Sequence, residues 1–485
     1  MTIVSDPVKV NPEQRMLIDG KLVDADSGKT FDNVNPATEE VIGQVADAST
    51  AEMQRAIDGS RRAFDETDWS TNHAFRKRCL EQLHEALQAE QEELREQLIL
   101  EVGCPRMTTN GPQLDAPLAD ALSYPAKLID EFPWETVLPD AINLQGSLDS
   151  RRIWREPVGV VGAIVPWNFP FEVTSHKLGQ ALATGNTVVL KPAPDTPWNA
   201  TFLGRLIAEQ TDIPPGVVNI VTSSDHLIGE ELTLSPKVDM ISFTGSTAVG
   251  QRIMEKGAAT MKRSFLELGG KSATIVLEDA DLGFATLMGM GACFHAGQGC
   301  AIQTRMLLPR SRYEEGVELL KGLFAAVPYG DPQRPDVIMG PVISSKQRER
   351  VLDQSSAHAL YGRSPVIVRP IFILGGLADW FRSHIRPELP GRPGPDARTS
   401  AVRSGLRACR MTRGSASDFP RCLPLPNRPG TLQDHLAGSG GPTANRAGRA
   451  RTRISRGAAY QRTTSYSFTT TFAPLMFVLC RLISW

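Results

Sequence analysis

The chain has 485 residues, 41% of them hydrophobic and 22% charged, with a formal net charge of −2. This is a globular composition, long enough for two to four domains and a large core. No apolar run reaches the roughly eighteen residues a membrane helix needs, and no positively charged start with an apolar core marks a secretory leader.

Residues 16–48 read as short strands with turn signals ("LIDGKLV", "NPATEEVIG"), and 50–105 as long helical patterns rich in Glu, Gln, Leu and Arg. A regular alternation follows. Strands are expected at 158–166, 186–193, 216–222 and 238–245, with helices at 176–185, 199–211, 225–234 and 247–259 between and after them. Near-continuous Val/Ile runs alternating with amphipathic helices imply a parallel sheet covered on both faces. The expected fold class is therefore α/β, a doubly wound nucleotide-binding architecture, followed after about residue 354 by a largely irregular C-terminal region.

The small net charge hides an asymmetry. Residues 355–485 hold 19 Arg, no Lys and 5 acids, leaving 33 basic and 49 acidic residues before them. This last region is rich in Arg, Pro, Gly, Ser and Ala and sustains no helix or strand period. Abundant Arg without Lys is what a GC-rich coding region gives when read out of frame. Disorder and a nucleic-acid arm are the alternatives. Aromatic interleaving is sparse, so nucleic acid is not an expected partner. The seven cysteines (Cys79, Cys104, Cys293, Cys300, Cys409, Cys422, Cys480) show no paired spacing, which suits a reducing, cytoplasmic setting.

Several residues stand where chemistry is possible. "SFTGSTAVG" joins a strand to a helix: Gly245 permits a tight turn and close backbone approach, Ser246 and Thr247 can cap the helix and meet a phosphate, and Gly250 follows five residues on. Lys191 ends a strand, where open α/β sheets bind ligands; singly, it also reads as a surface lysine. Asn168, in "VPWNFP", is either a turn former or an amide donor to an oxyanion. Glu267, before two glycines in "ELGGKS", is either solvated or, if burial raises its basicity, a general base. Cys300, in "FHAGQGC", is either a small buried residue or a nucleophile. Cys293 reads as buried. His295 lies close to Cys300 in sequence, which is poor evidence for a Cys–His pair.

Together "VPWNFP", "LKPA", "FTGSTAVG", "ELGGKS" and "GQGC" resemble, in order and spacing, the NAD(P)-dependent aldehyde dehydrogenase superfamily, over about residues 16–354. The resemblance implies an aldehyde as small-molecule substrate and NAD as cofactor, with NADP not excluded. It implies Cys300 as nucleophile, Asn168 and the Cys300 main-chain N–H as oxyanion donors, and Glu267 as base for hydrolysis of a thioester. Ile164, Pro166, Trp167, Lys191, Gly245, Ser246, Gly250 and Leu268 would hold the cofactor, and no metal site is implied. It further implies a division into a Rossmann-like cofactor domain over 1–265, the first part of an α/β catalytic domain over 266–354 and a tail over 355–485, with an oligomerisation arm near 135–155 and a homodimer or tetramer. Two departures qualify this. Where many NAD-preferring members carry a Glu three residues after the lysine, this chain has Pro194, followed by Asp195. The Glu-x-Phe-Gly-Pro segment expected beyond 354 is missing. The alternative is an impaired remnant that at most binds the nucleotide.

Overall fold

A computed structural model describes residues 10–360. The strands in chain order are β1 (Met16–Ile18), β2 (Lys21–Val23), β3 (Thr30–Val34), β4 (Val41–Ala46), β5 (Glu135–Ile142), β6 (Leu148–Trp154), β7 (Val160–Ile164), β8 (Thr187–Lys191), β9 (Val218–Ile220), β10 (Met240–Gly245), β11 (Arg263–Leu268), β12 (Ser272–Ile275) and β13 (Gln303–Leu307). Seven of them make one sheet in the order β11-β10-β7-β8-β9-β1-β2. β7 to β11 are parallel, and β1 and β2 add an antiparallel edge.

The central strands are apolar on both faces. Every residue of β8 is buried, including Lys191. Helices therefore cover both sides, and two apolar clusters form. One centres on Phe171, Phe202 and the helices His73–Ala89 and Gln91–Val102; the other holds Met53, Val189, Ile241 and Phe243. The chain winds outward from β7 through β8 to β9, then crosses back to place β10 on the other side of β7. That reversal opens a crevice between the carboxyl ends of β7 and β10.

Local signals explain the element ends. Ser49 and Glu52 form a capping box on the helix Thr50–Glu66. The expected helix at 176–185 begins earlier, at Pro170: proline is well suited to the first helical position, where no N–H is needed. The expected 50–105 helical region divides into three helices, broken at Thr67–Asn72 and at Glu90. A third apolar cluster, around Leu282, Met306, Leu320 and Phe324, belongs to the second α/β region with the parallel pair β12–β13. The helix Ser345–Leu360 continues past residue 354. The readings made for the remaining tail, 361–485, lie outside the described residues.

Candidate active site

The crevice collects side chains from four separate segments. β7 ends at Ile164, and Pro166, Trp167 and Asn168 follow it, all half-buried. β10 ends at Gly245, where an added Cβ would stand 2.5 Å from the Phe243 ring. Ser246 caps the next helix, Thr247–Gly257, its hydroxyl accepting from the Val249 N–H at 3.4 Å. Gly250 lies against Leu268 of β11, and a Cβ there would come within 2.9 Å of the leucine Cδ2. Thr244 Oγ1 is buried beside this turn with no hydrogen-bond partner among the described residues. A helix N-terminus, a glycine cradle and an orphan hydroxyl together suit a dinucleotide's pyrophosphate.

Lys191 is 4% exposed, so the surface-lysine reading does not hold. Its ammonium makes only long contacts, 3.4 Å each, to the carbonyls of Pro192 and Ser223. Burial lowers its pKa to about 8, against the pull of Asp225 and Asp47. A buried cation with weak partners and carboxylates nearby retains free donor capacity for ribose hydroxyls. Asp195 is exposed, yet the atoms packed round it raise its carboxyl above the ordinary value, with Lys346 opposing.

The nucleophile candidate stands on a loop from the second region. Cys300 is exposed, so the buried-thiol reading fails for it, while Cys293 is buried and has its thiol pushed up to about 11. Atoms packed round Cys300 still remove enough water to lift its thiol above the usual value. The Glu172 carboxylate adds to that rise and Glu267 contributes less, while the main-chain N–H groups of Cys300 and Ala301 oppose it. The Asn168 side-chain amide reaches across to this loop and donates to the Gln298 carbonyl at 2.5 Å. The Asn168 carbonyl accepts from Gln113 Nε2 at 2.8 Å. Gln298 fixes the loop from behind: its side-chain oxygen accepts from the Ile343 N–H at 2.9 Å, and its amide donates to the carbonyls of His295 and Pro341. No Cys–His pair forms with Cys300, since both ring nitrogens of His295 lack hydrogen-bond partners among the described residues.

Glu267 is also at the crevice, one residue before the end of β11, but it is exposed. It lies near Lys177, on whose ammonium its charge acts. Lys177 donates to Ser242 Oγ at 2.8 Å and lies 5.5 Å from the Phe265 ring centroid. Burial lowers its pKa to about 8, with Glu267 acting the other way.

The residue reading passed over one face of the helix Pro170–Ala183. Glu172, Val173, His176 and Lys177 form its half-buried stripe. Burial, with Asp120 adding to it, raises the Glu172 carboxyl to about 7. Burial also lowers the His176 pKa, again with Asp120 opposing. The signal was the i, i+4 spacing of polar residues directly after Asn168.

The chain matches the aldehyde dehydrogenase family model over residues 22–363. It is 40% identical to the mitochondrial aldehyde dehydrogenase of Leishmania tarentolae over 349 residues, 71% of this chain and 68% of that protein. Among solved structures it is similar to the NAD+ complex of a Bacillus cereus aldehyde dehydrogenase, with 35% identity, a TM-score of 0.68, and coverage of 73% and 71% of the two chains. It is likewise similar to a mutant of aldehyde dehydrogenase C from Pseudomonas syringae holding NAD+ and octanal, with 32% identity, a TM-score of 0.69, and coverage of 76% and 74%.

Proposed function

This chain belongs to the aldehyde dehydrogenase family, and from that premise we propose that it oxidises a small aldehyde to a carboxylic acid with NAD+, through a covalent intermediate on Cys300. The observation that carries the reading is the contact of the Asn168 amide with the nucleophile loop, 2.5 Å to the Gln298 carbonyl. It joins an oxyanion donor from the sheet to a thiol from the second region. One amide proton is engaged there, and the second is free for substrate.

The thiolate of Cys300 attacks the aldehyde carbon, and the carbonyl oxygen becomes an oxyanion. The second Asn168 amide proton and the Cys300 main-chain N–H receive that charge. NAD+, when bound, supplies the hydride acceptor; Lys191 would hold its ribose, and the Gly245–Gly250 turn its pyrophosphate. Oxidation leaves the acyl group on sulfur as a thioester. Glu267 then takes a proton from water, the hydroxide adds to the thioester, and the acid leaves as the thiolate is restored. The Asp47 and Asp225 carboxylates near Lys191 disfavour a 2′-phosphate, which supports NAD+ over NADP+ in place of the glutamate that Pro194 lacks.

The exposure of Glu267 favours a second reading, in which the nucleotide binds and acylation occurs but hydrolysis is slow. Steady-state NADH formation with a panel of short aldehydes separates the two. Turnover above about 1 s⁻¹, abolished in Cys300→Ser, supports full catalysis. A single stoichiometric burst of NADH supports the second reading, and no NADH despite nucleotide binding overturns both.

The hairpin β5–β6 fits the arm expected near 135–155. Val137, Ile142, Leu144, Leu148, Ile153 and Trp154 are exposed on it, and among the described residues its strands pair only with each other. We read it as the surface that joins copies of this chain.

A further inference from the structure

His295, Ala296 and Gly297 are three consecutive left-handed residues just before the nucleophile, with φ of 49°, 53° and 73°. Only the glycine takes this conformation freely. The stretch turns the His295 ring inward, where it is 0% exposed. The ring meets Phe169 edge-on, with 5.4 Å between centroids. Neither ring nitrogen has a hydrogen-bond partner among the described residues, an unfavourable state for a buried imidazole.

The Asn168 main chain is the polar group that acts on the ring. Burial pushes the His295 pKa down to about 4, and the sole opposing influence is the main chain of Asn168. The Asn168 carbonyl already accepts from Gln113, but a carbonyl has two lone pairs and can take a second donor. The other end of Asn168, its amide, is bound to Gln298 of the same loop. Gln298 in turn donates to the His295 carbonyl from its main-chain N–H and from Nε2, at 3.1 Å each.

We propose that His295 is a positioning residue: its neutral ring N–H closes onto the Asn168 carbonyl, so that the nucleophile loop itself holds the oxyanion donor at both ends. This rests on the roles given above to Cys300 and Asn168. The strained stretch then has a purpose. It sends the ring under Phe169 while the backbone continues to Cys300, so donor and nucleophile keep one relative position.

The test uses the full chain and p-nitrophenyl acetate. Sγ of Cys300 attacks the ester carbonyl, p-nitrophenolate leaves, and acetyl remains on sulfur. This step needs the thiol and the oxyanion donor, but neither nucleotide nor hydride transfer. His295→Phe keeps a flat ring against Phe169 without the N–H. His295→Met, donorless and adaptable, repeats the test should the phenyl ring not fit. His295→Gln restores a donor. The Phe or Met variant is expected to acylate about 100-fold more slowly, with the iodoacetamide reaction of Cys300 and the unfolding midpoint unchanged, and Gln to recover much of the loss. Acylation at the parental rate overturns the proposal. So does joint loss of acylation and alkylation, which marks mere loop collapse, and so does failure of Gln to rescue. No burst in the parent removes Cys300 as nucleophile, and this proposal with it.

Discussion

At the scale of single residues, the thiol and its surroundings set the chemistry. A nucleophilic cysteine needs its thiolate near neutral pH, yet the protein around Cys300 raises its pKa, in part through Glu172. Glu172 has its own pKa near 7, so its charge grows over the range where the thiolate must form. Glu172→Gln removes that charge, and the pH profile of Cys300 alkylation by iodoacetamide should move to lower pH. An unchanged profile, or one displaced upward, would show that the carboxylate does not act on the thiol. Lys191 is the corresponding contact proposed for the nucleotide. Loss of its charge-assisted hydrogen bonds in Lys191→Ala should weaken NAD+ binding by about tenfold to a hundredfold. Tryptophan fluorescence titration reads this, and the parent should bind NADP+ roughly tenfold more weakly than NAD+. Equal affinities would remove the role given to Asp47 and Asp225. Cys300, Asn168 and Lys191 were visible as candidates in sequence because each sits within two residues of a glycine, a proline or a strand end. Glu172 was not: on an amphipathic helix it looks like any polar position.

At the scale of elements, helix and strand placement followed from periodicity, and most departures were at the ends. The residue that secures one such end was not readable. Glu101 is fully buried near the end of the helix Gln91–Val102 and accepts from the main-chain N–H groups of Trp198 and Asn199, at 2.8 and 2.9 Å. It thereby closes the first turn of the helix Trp198–Gln210, whose own N-cap residue, Pro197, offers no side-chain bond. Asn33 and Asn199 also donate to it, at 3.2 Å each. Glu101→Ala would orphan these donors and leave a cavity, at a cost of about 2–4 kcal/mol. Urea unfolding measures this; a midpoint equal to the parent's would mean that water replaces the carboxylate. Sequence shows helix termini through nearby caps, and a cap delivered from 97 residues away, as the 101–198 pair is, leaves no local trace.

At the scale of the whole molecule, the β5–β6 hairpin is the feature with the largest consequence. A ribbon with exposed apolar residues along its length is an edge that natural proteins ordinarily cover. Val137→Asp combined with Ile153→Asp should lower the sedimentation-equilibrium mass toward that of a monomer while leaving the far-UV spectrum intact. A monomeric parent, or an oligomer untouched by the double substitution, would show that the arm does not join copies.

The sequence by itself determined the doubly wound alternation, the Gly245 turn, and the residue types that the proposed aldehyde oxidation requires. These are short-range patterns, in which hydrophobic period, turn residues and strand ends are read within a few positions of one another. Tertiary structure alone decided that Lys191 is buried and Glu267 exposed, that the Glu172 carboxylate is brought near Cys300, and that the Asn168 amide meets the Gln298 carbonyl across 130 positions. Burial and charge coupling depend on which distant segments pack together. The sheet reversal between β7 and β10 places those segments at one crevice, and no local stretch of the chain records that it does.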